Sequence, residues 1–116
     1  MASPKISILI PTYNYGRYLE EAIESVLSQD FEDYELIVSD DCSSDNTEEI
    51  MTRFANNKKV RYYRHKINLG MVENWNWCLG ESNGEFIKFV FGDDKFSQPD
   101  SLRKCYYLWK IIQARH

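Results

Sequence analysis

The sequence predicts an α/β fold with a parallel sheet and helices on its faces, and three observations carry that expectation. Four runs rich in β-branched or aromatic residues recur along the chain: Ile6–Ile10, Tyr34–Ser39, Val60–Arg64 and Phe86–Phe91. Between and after them, apolar residues fall at helical rather than alternating spacing. Strands that alternate with helices in this way are joined by crossovers, which bring them into one sheet in parallel. Third, polar residues collect where strands end, and in an open α/β sheet ligands sit beyond the carboxyl ends of the strands.

Ile6–Ile10 is nearly all apolar, the profile of a central parallel strand, and Pro11 ends it because proline cannot donate into a ladder. Thr12–Gly16 is a polar loop. From Arg17 to Gln29, the residues Leu19, Ala22, Ile23, Val26 and Leu27 define an amphipathic helix. Tyr34–Ser39 is a second strand, closed by Asp40 and Asp41. Ser44 or Asp45 suits the cap of a helix whose first turn holds Glu48 and Glu49 and whose inner face holds Ile50, Met51 and Phe54. Val60–Arg64 is more polar and suits a place near the sheet edge. Met71–Gly80 reads as a helix, and Phe86–Phe91 as a buried strand ending in Gly92, Asp93 and Asp94. Pro99 suits the first turn of a last helix running to Ile112.

At 116 residues the chain has room for one modest core, and 43% apolar residues make it a folding sequence. Its net charge of −4 argues against nucleic acid or anionic membrane as a non-specific partner. Phosphates must therefore be met locally, by backbone N–H groups, a few basic residues or a metal. Cys42, Cys78 and Cys105 are an odd number without CxxC spacing, which fits a reducing cytoplasm rather than disulfides or zinc; Cys42, in a loop, is the most exposed to chemistry. No run approaches the roughly 18 apolar residues of a membrane span, and no signal-peptide core follows Met1.

Three loops share the ligand edge: Pro11–Asn14, Asp40–Asp45 and Gly92–Asp94. Tyr13 offers an aromatic face for a base, and Asp40 or Asp41 can accept hydrogen bonds from a base N–H or a ribose hydroxyl. Asp93 and Asp94 repel each other unless a cation or proton lies between them, and hard carboxylate oxygens suit Mg²⁺ or Mn²⁺ shared with phosphates. Each feature has a plainer reading: a surface tyrosine, a solvated turn, and a turn ahead of Pro99. Their coincidence at three strand ends favours the site. Trp75 and Trp77 cannot share one helix face, so one packs on the sheet while the other lines that site or another surface. Lys88 reads as an apolar stem with its ammonium at an edge. Arg61, Arg64, His65 and Lys66 form a basic cluster that suits a solvated strand end better than a phosphate site.

Taken together, Ile8-Leu9-Ile10-Pro11-Thr12-Tyr13-Asn14, the helix Tyr18–Gln29, the run Glu35–Asp45 with its Asp40-Asp41, Asn68-Leu69-Gly70, Gly84–Ile87, and Asp93-Asp94 with Pro99–Leu102 resemble the family 2 glycosyltransferases. The resemblance covers essentially all of the chain. It implies a Rossmann-like, three-layer α/β/α fold of GT-A type. It further implies that residues 1–116 form the N-terminal, donor-binding portion of one such domain, without its acceptor half. The activity implied is transfer of a sugar from a nucleotide-diphosphate sugar, commonly a UDP-sugar, with inversion and with Mg²⁺ or Mn²⁺. The acceptor would be a glycan, a lipid-linked group or a protein, and the setting cytoplasmic, peripheral to the membrane in a longer protein.

By the same resemblance, Pro11, Thr12, Tyr13, Asn14, Asp40 and Asp41 face the uracil and ribose. Asn68, Gly70 and Asn76 lie on a segment that closes over the donor. Gly92 and Asp93 meet the diphosphate, and Asp93 with Asp94 meets the metal. Two departures stand out. Phe91 occupies the first carboxylate position of the family's Asp-x-Asp motif, and no residue matches the catalytic base, which the later half of the family's domain supplies. A non-catalytic nucleotide- or protein-binding module of the same fold is therefore the alternative. A nucleotidyltransferase fits less well, since Pro11-Thr12-Tyr13-Asn14 is not Gly-rich. Apolar surface left open by the missing half would favour self-association.

Overall fold

The computed structural model describes residues 3–92 and 94–115. Its elements are β1 (Ile6–Thr12), α1 (Gly16–Leu27), β2 (Tyr34–Asp40), α2 (Thr47–Thr52), β3 (Val60–Arg64), α3 (Met71–Glu81), β4 (Phe86–Phe89) and α4 (Ser101–Ala114). The strands form one parallel sheet in the order β3-β2-β1-β4. β1 and β2 are flanked on both sides, which is why their sequences are nearly continuous apolar runs buried along their length.

Alternation along β1 separates two cores. Ile6, Ile8 and Ile10 face one side and join Leu36 and Val38 of β2, Leu19, Ile23 and Val26 of α1, Met51 of α2 and Leu102 of α4. Leu9 faces the other side and meets Ile37 and Cys78, with Tyr63, Trp77 and Phe89 around them. Helices thus cover both faces, α3 lying over the second, and the three layers expected from sequence are present. Burial pushes the Cys78 thiol up to about 11, against a smaller opposing effect of the Ser39 hydroxyl.

Phe86–Phe91 departs from expectation. The strand ends at Phe89 and is half-buried throughout rather than buried, because β4 lies at the sheet edge with β1 as its neighbour. Val90 keeps one more bond to β1, donating to Leu9 O at 2.9 Å, before the chain turns away. β3, at the opposite edge, is where its polar sequence puts it. Pro99 precedes α4 instead of entering its first turn, since its carbonyl accepts the Asp30 N–H at 2.8 Å. Asp45, not Ser44, serves the start of α2, accepting from the Thr47 N–H at 3.1 Å and the Thr47 hydroxyl at 2.5 Å. Along α4, Leu102 and Tyr106 are buried while Tyr107, Leu108, Ile111 and Ile112 stand exposed.

At the amino ends of the strands, Glu35 gathers the Ser7 hydroxyl at 2.5 Å, the Asn83 N–H at 2.6 Å and Arg61 at 2.8 Å. Gly84 also donates to the Ser7 hydroxyl, at 2.7 Å, and a Cβ on Gly84 would lie 2.4 Å from the Ser7 nitrogen, so glycine is required there. Burial pushes the Glu35 carboxyl up, but Ser7, Asn83 and Arg61 together outweigh it and hold the carboxyl below its ordinary value of 4.5. A carboxyl lowered on folding adds stability that is complete above its unfolded value and lost as pH falls through its folded value. Glu35→Gln should therefore remove part of the acid-side loss of stability, which urea unfolding across about pH 3 to pH 7 would show as a flatter acid limb.

Candidate functional site

Beyond the carboxyl ends of β1 and β2 lies an open cleft of about 410 Å³. Pro11, Thr12, Tyr13 and Tyr15 form one wall, Asp41 the floor, Asn68 and Gly70 the far rim. Met71, Asn74 and Trp75 of α3 face Phe91 and Gly92 across the remaining side. None of these lining residues is Lys, Arg or His, and aromatic rings supply much of the surface.

The loops are fastened to one another. Asn14, in the left-handed region at φ 57°, donates its N–H to Ser43 Oγ at 2.9 Å, and its Oδ1 accepts the Ser44 N–H at 2.8 Å. The Gly16 N–H donates to Asp45 Oδ2 at 3.0 Å. A Cβ at Gly16 would lie 2.5 Å from Asn46 Oδ1, a side-chain end that would have to turn aside. Tyr13 is left free on the cleft wall, 48% exposed.

Asp40 and Asp41 part company because successive side chains of an extended chain point to opposite faces. Asp40 is fully buried beneath its loop: Oδ1 accepts the Ser43 N–H at 2.9 Å, and Oδ2 accepts the Tyr62 hydroxyl at 2.7 Å. Burial, then this carboxylate, hold the Tyr62 hydroxyl well above its ordinary value of 10. Asp41 instead reaches the far rim. Its two oxygens accept the N–H groups of Leu69 at 2.6 Å and Gly70 at 3.0 Å, while Asn68 Nδ2 donates to Asp41 O at 3.1 Å. Gly70, at φ 91°, allows the bend that presents both N–H groups to one carboxylate.

Of the residues singled out from sequence, Pro11, Thr12, Tyr13, Asp41, Asn68, Gly70 and Gly92 come together in the cleft. Three do not line it. Asn14 spends its side chain on Ser44, Asp40 is enclosed by Ser43 and Tyr62, and Asn76 is exposed on α3 while Asn74, two residues earlier, takes the cleft side. Asp93 lies outside the described residues. Asp94 is exposed, donates its N–H to Phe91 O at 2.8 Å, and borders a neighbouring hollow with Lys88, Lys95 and Cys105. Among the described residues no group of three or more His, Cys, Asp or Glu is placed to hold a metal.

The two tryptophans divide the tasks that their spacing implied. Trp77 packs beneath α3 against Tyr63 at 4.9 Å and His65 at 4.6 Å, whereas Trp75 lines the cleft and meets Phe91 at 4.9 Å. Phe91 in turn stacks on Phe89 at 5.0 Å with an interplanar angle of 8°. The basic cluster turns away from the cleft: Arg61 holds Glu35, Arg64 donates to Ser43 O at 3.2 Å, and His65 meets Ser39. Tyr15, Met71, Asn74 and Phe91 were not foreseen as cleft residues. Phe91 had a signal, being an aromatic residue immediately ahead of Gly92 at the ligand edge.

Residues 7–113 match the family described as Glycosyl transferase family 2. The GalNAc(5)-diNAcBac-PP-undecaprenol beta-1,3-glucosyltransferase of Campylobacter jejuni is 38% identical over 94 residues, which are 79% of this chain and 30% of that protein. The poly(ribitol-phosphate) beta-N-acetylglucosaminyltransferase TarS of Staphylococcus aureus is 36% identical over 93 residues, 78% of this chain and 16% of TarS. The chain therefore spans less than a third of either relative. Among solved structures, S. aureus TarS 1–349 in complex with UDP-GlcNAc superposes with a TM-score of 0.83 at 31% identity, over 91% of this chain and 31% of that one. The Pyrobaculum calidifontis mannosyltransferase PcManGT, in complex with GDP-Man and Mn²⁺, shares the fold with a TM-score of 0.78 at 23% identity, over 88% of this chain and 31% of that one. With its parallel sheet, helices on both faces and cleft at the strand ends, this chain belongs to glycosyl transferase family 2 and has the GT-A fold.

Proposed function

We propose that this chain is the donor-binding portion of an inverting, metal-assisted glycosyltransferase that takes its sugar from a UDP-sugar. The observation that carries the reading is the cleft itself, in which Asp41 draws the Asn68–Gly70 segment against the Tyr13 wall at the ends of β1 and β2. UDP-GlcNAc in the structure of TarS supports the same donor class here. Tyr13 offers its ring to the base. A carboxylate has about four lone-pair directions and Asp41 uses two on backbone N–H groups, so it can still accept from a base N–H or a ribose hydroxyl. Asn68 and Gly70, fastened by that carboxylate, form the rim against which the donor is held.

The diphosphate needs positive charge, and no basic side chain lines the cleft among the described residues. The hard-oxygen donors Asp93 and Asp94 suit Mg²⁺ or Mn²⁺, the exposed Asp94 carboxylate being free to turn toward a shared cation. When bound, the cation supplies charge stabilisation to the leaving diphosphate. The acceptor, a glycan, a lipid-linked group or a protein, and the base that deprotonates its hydroxyl belong to residues beyond this donor portion. The free cysteines Cys42, Cys78 and Cys105 support a reducing, cytoplasmic setting, peripheral to the membrane where the acceptor is lipid-linked. No helix among the described residues is long and apolar enough to cross a membrane.

Titration with UDP, GDP and ADP in the presence of Mn²⁺ tests the donor class, with UDP expected to bind tightest. In the enzyme carrying this domain, product anomeric configuration read by proton NMR tests inversion. The binding-module alternative draws on Phe91, which puts a ring where the family motif has its first carboxylate. It predicts nucleotide binding without turnover in that enzyme.

A further inference from the structure

A buried chain of hydrogen bonds ties the sheet to the helix that walls the cleft, and the nucleotide reading makes no use of it. The Ser39 hydroxyl on β2 is wholly buried, 2.5 Å from Asn74 Oδ1 and 2.8 Å from His65 Nε2. Asn74 Nδ2 donates to Ser39 O at 3.1 Å. A carbonyl only accepts, so the Asn74 amide has one orientation and its Oδ1 must face the hydroxyl. That oxygen also only accepts, so Ser39 spends its single proton on it. The contact between Ser39 and His65 then requires the proton to sit on Nε2. The imidazole thus heads a one-way chain from His65 Nε2–H to the Ser39 hydroxyl to Asn74 Oδ1, with its ring held edge-on against Trp77.

The far end of that chain is the first turn of α3. Asn74 precedes Trp75, and its own N–H donates to Gly70 O at 2.9 Å. The chain therefore fixes the depth and rotation of the turn that carries Met71 and Trp75 to the cleft and adjoins the segment Asp41 holds. Trp77 and Cys78 pack the middle of α3 onto the second core, whereas this link is the buried hydrogen bonding that ties its first turn to β2. We propose that His65 and Ser39 are positioning residues for the nucleotide cleft, acting through Asn74 on Trp75 and the Asn68–Gly70 rim. The proposal rests on the nucleotide reading of that cleft.

The test uses His65→Phe and Ser39→Ala, which break the chain, and His65→Gln, which puts an amide N–H near the Nε2 position. Val26→Ala, in the core on the other face of the sheet, is the matched destabilising control. In the free protein, nitrogen NMR should find His65 protonated at Nε2, and the Trp75 indole resonance should move in the two breaking variants but not in Val26→Ala. UDP affinity with Mn²⁺, measured well below each melting temperature, should fall roughly tenfold in the breaking variants, the scale of one lost buried hydrogen bond. His65→Gln should recover most of it, and Val26→Ala should bind as the natural chain does. An unmoved Trp75 with unchanged affinity in His65→Phe would overturn the proposal, as would equal weakening in Val26→Ala or no rescue by Gln. If the natural chain binds no nucleotide, the nucleotide reading fails, while the Trp75 resonance still decides the positioning role.

Discussion

Asp41→Asn is expected to cost this protein both stability and nucleotide affinity, a larger combined loss than any other isosteric change in the cleft. The carboxylate is 3% exposed and accepts two backbone N–H groups, from Leu69 and Gly70. An amide in its place has one acceptor oxygen, so its own NH₂ must face one of those donors. A buried N–H left without a charged acceptor costs about 2–3 kcal/mol. Thermal or urea unfolding should register that loss directly. UDP affinity should fall by more than about tenfold, since the rim formed by Asn68 and Gly70 loses its anchor together with a base or ribose acceptor. Asp40→Asn provides the contrast. That side chain serves Ser43 and Tyr62 beneath the loop, so its variant should lose stability while the folded fraction keeps most of its affinity.

The second large effect is a split between two tryptophans. Trp77→Ala should lower stability by about 3 kcal/mol, the usual cost of truncating a large packed ring, because Tyr63 and His65 lose their neighbour. Trp75→Ala should cost less stability, since its partners Phe89 and Phe91 remain stacked on each other. It should instead weaken UDP binding by about fivefold to a hundredfold, in line with about 1–3 kcal/mol for a ring stacked on a base. Unfolding and titration of both variants side by side check the split, and equal losses on both axes would contradict the assignment of Trp75 to the cleft.

These contrasts mark what the amino-acid order makes legible. Runs of β-branched and aromatic residues placed the four strands and helical spacing the four helices, because the helices carry their apolar residues on a single face and β1 and β2 carry theirs on both. The edge strand misled for a physical reason. Phe86, Ile87, Phe89 and Phe91 read as a buried strand, yet the Phe86 ring meets Trp109 of α4 and the Phe91 ring meets Trp75 at the cleft, at the sheet margin where one neighbour is missing. The resemblance set both Asp40 and Asp41 at the uracil and ribose; that Asp41 alone of the two lines the cleft depends on Tyr62 lying under the loop, a fact of tertiary packing.

Asn74 and Asn76 pose the same problem on a helix. They sit about 200° apart around α3, and only the docking of that helix on β1 and β2 decides which reaches the cleft. The left-handed backbone at Cys42, φ 65°, had no sequence signal either, since cysteine does not favour that region. It turns the chain between Asp41 and Ser43, so that Ser43 can meet both Asp40 and Asn14.

Calorimetric titration of UDP into the protein, once with Mn²⁺ and once with EDTA, tests the donor-cleft account most directly. The account predicts saturable binding with Mn²⁺ that weakens sharply with EDTA, because no basic side chain among the described cleft residues can replace the cation against a diphosphate. A folded protein that binds UDP in neither condition, or binds it equally in both, would contradict it.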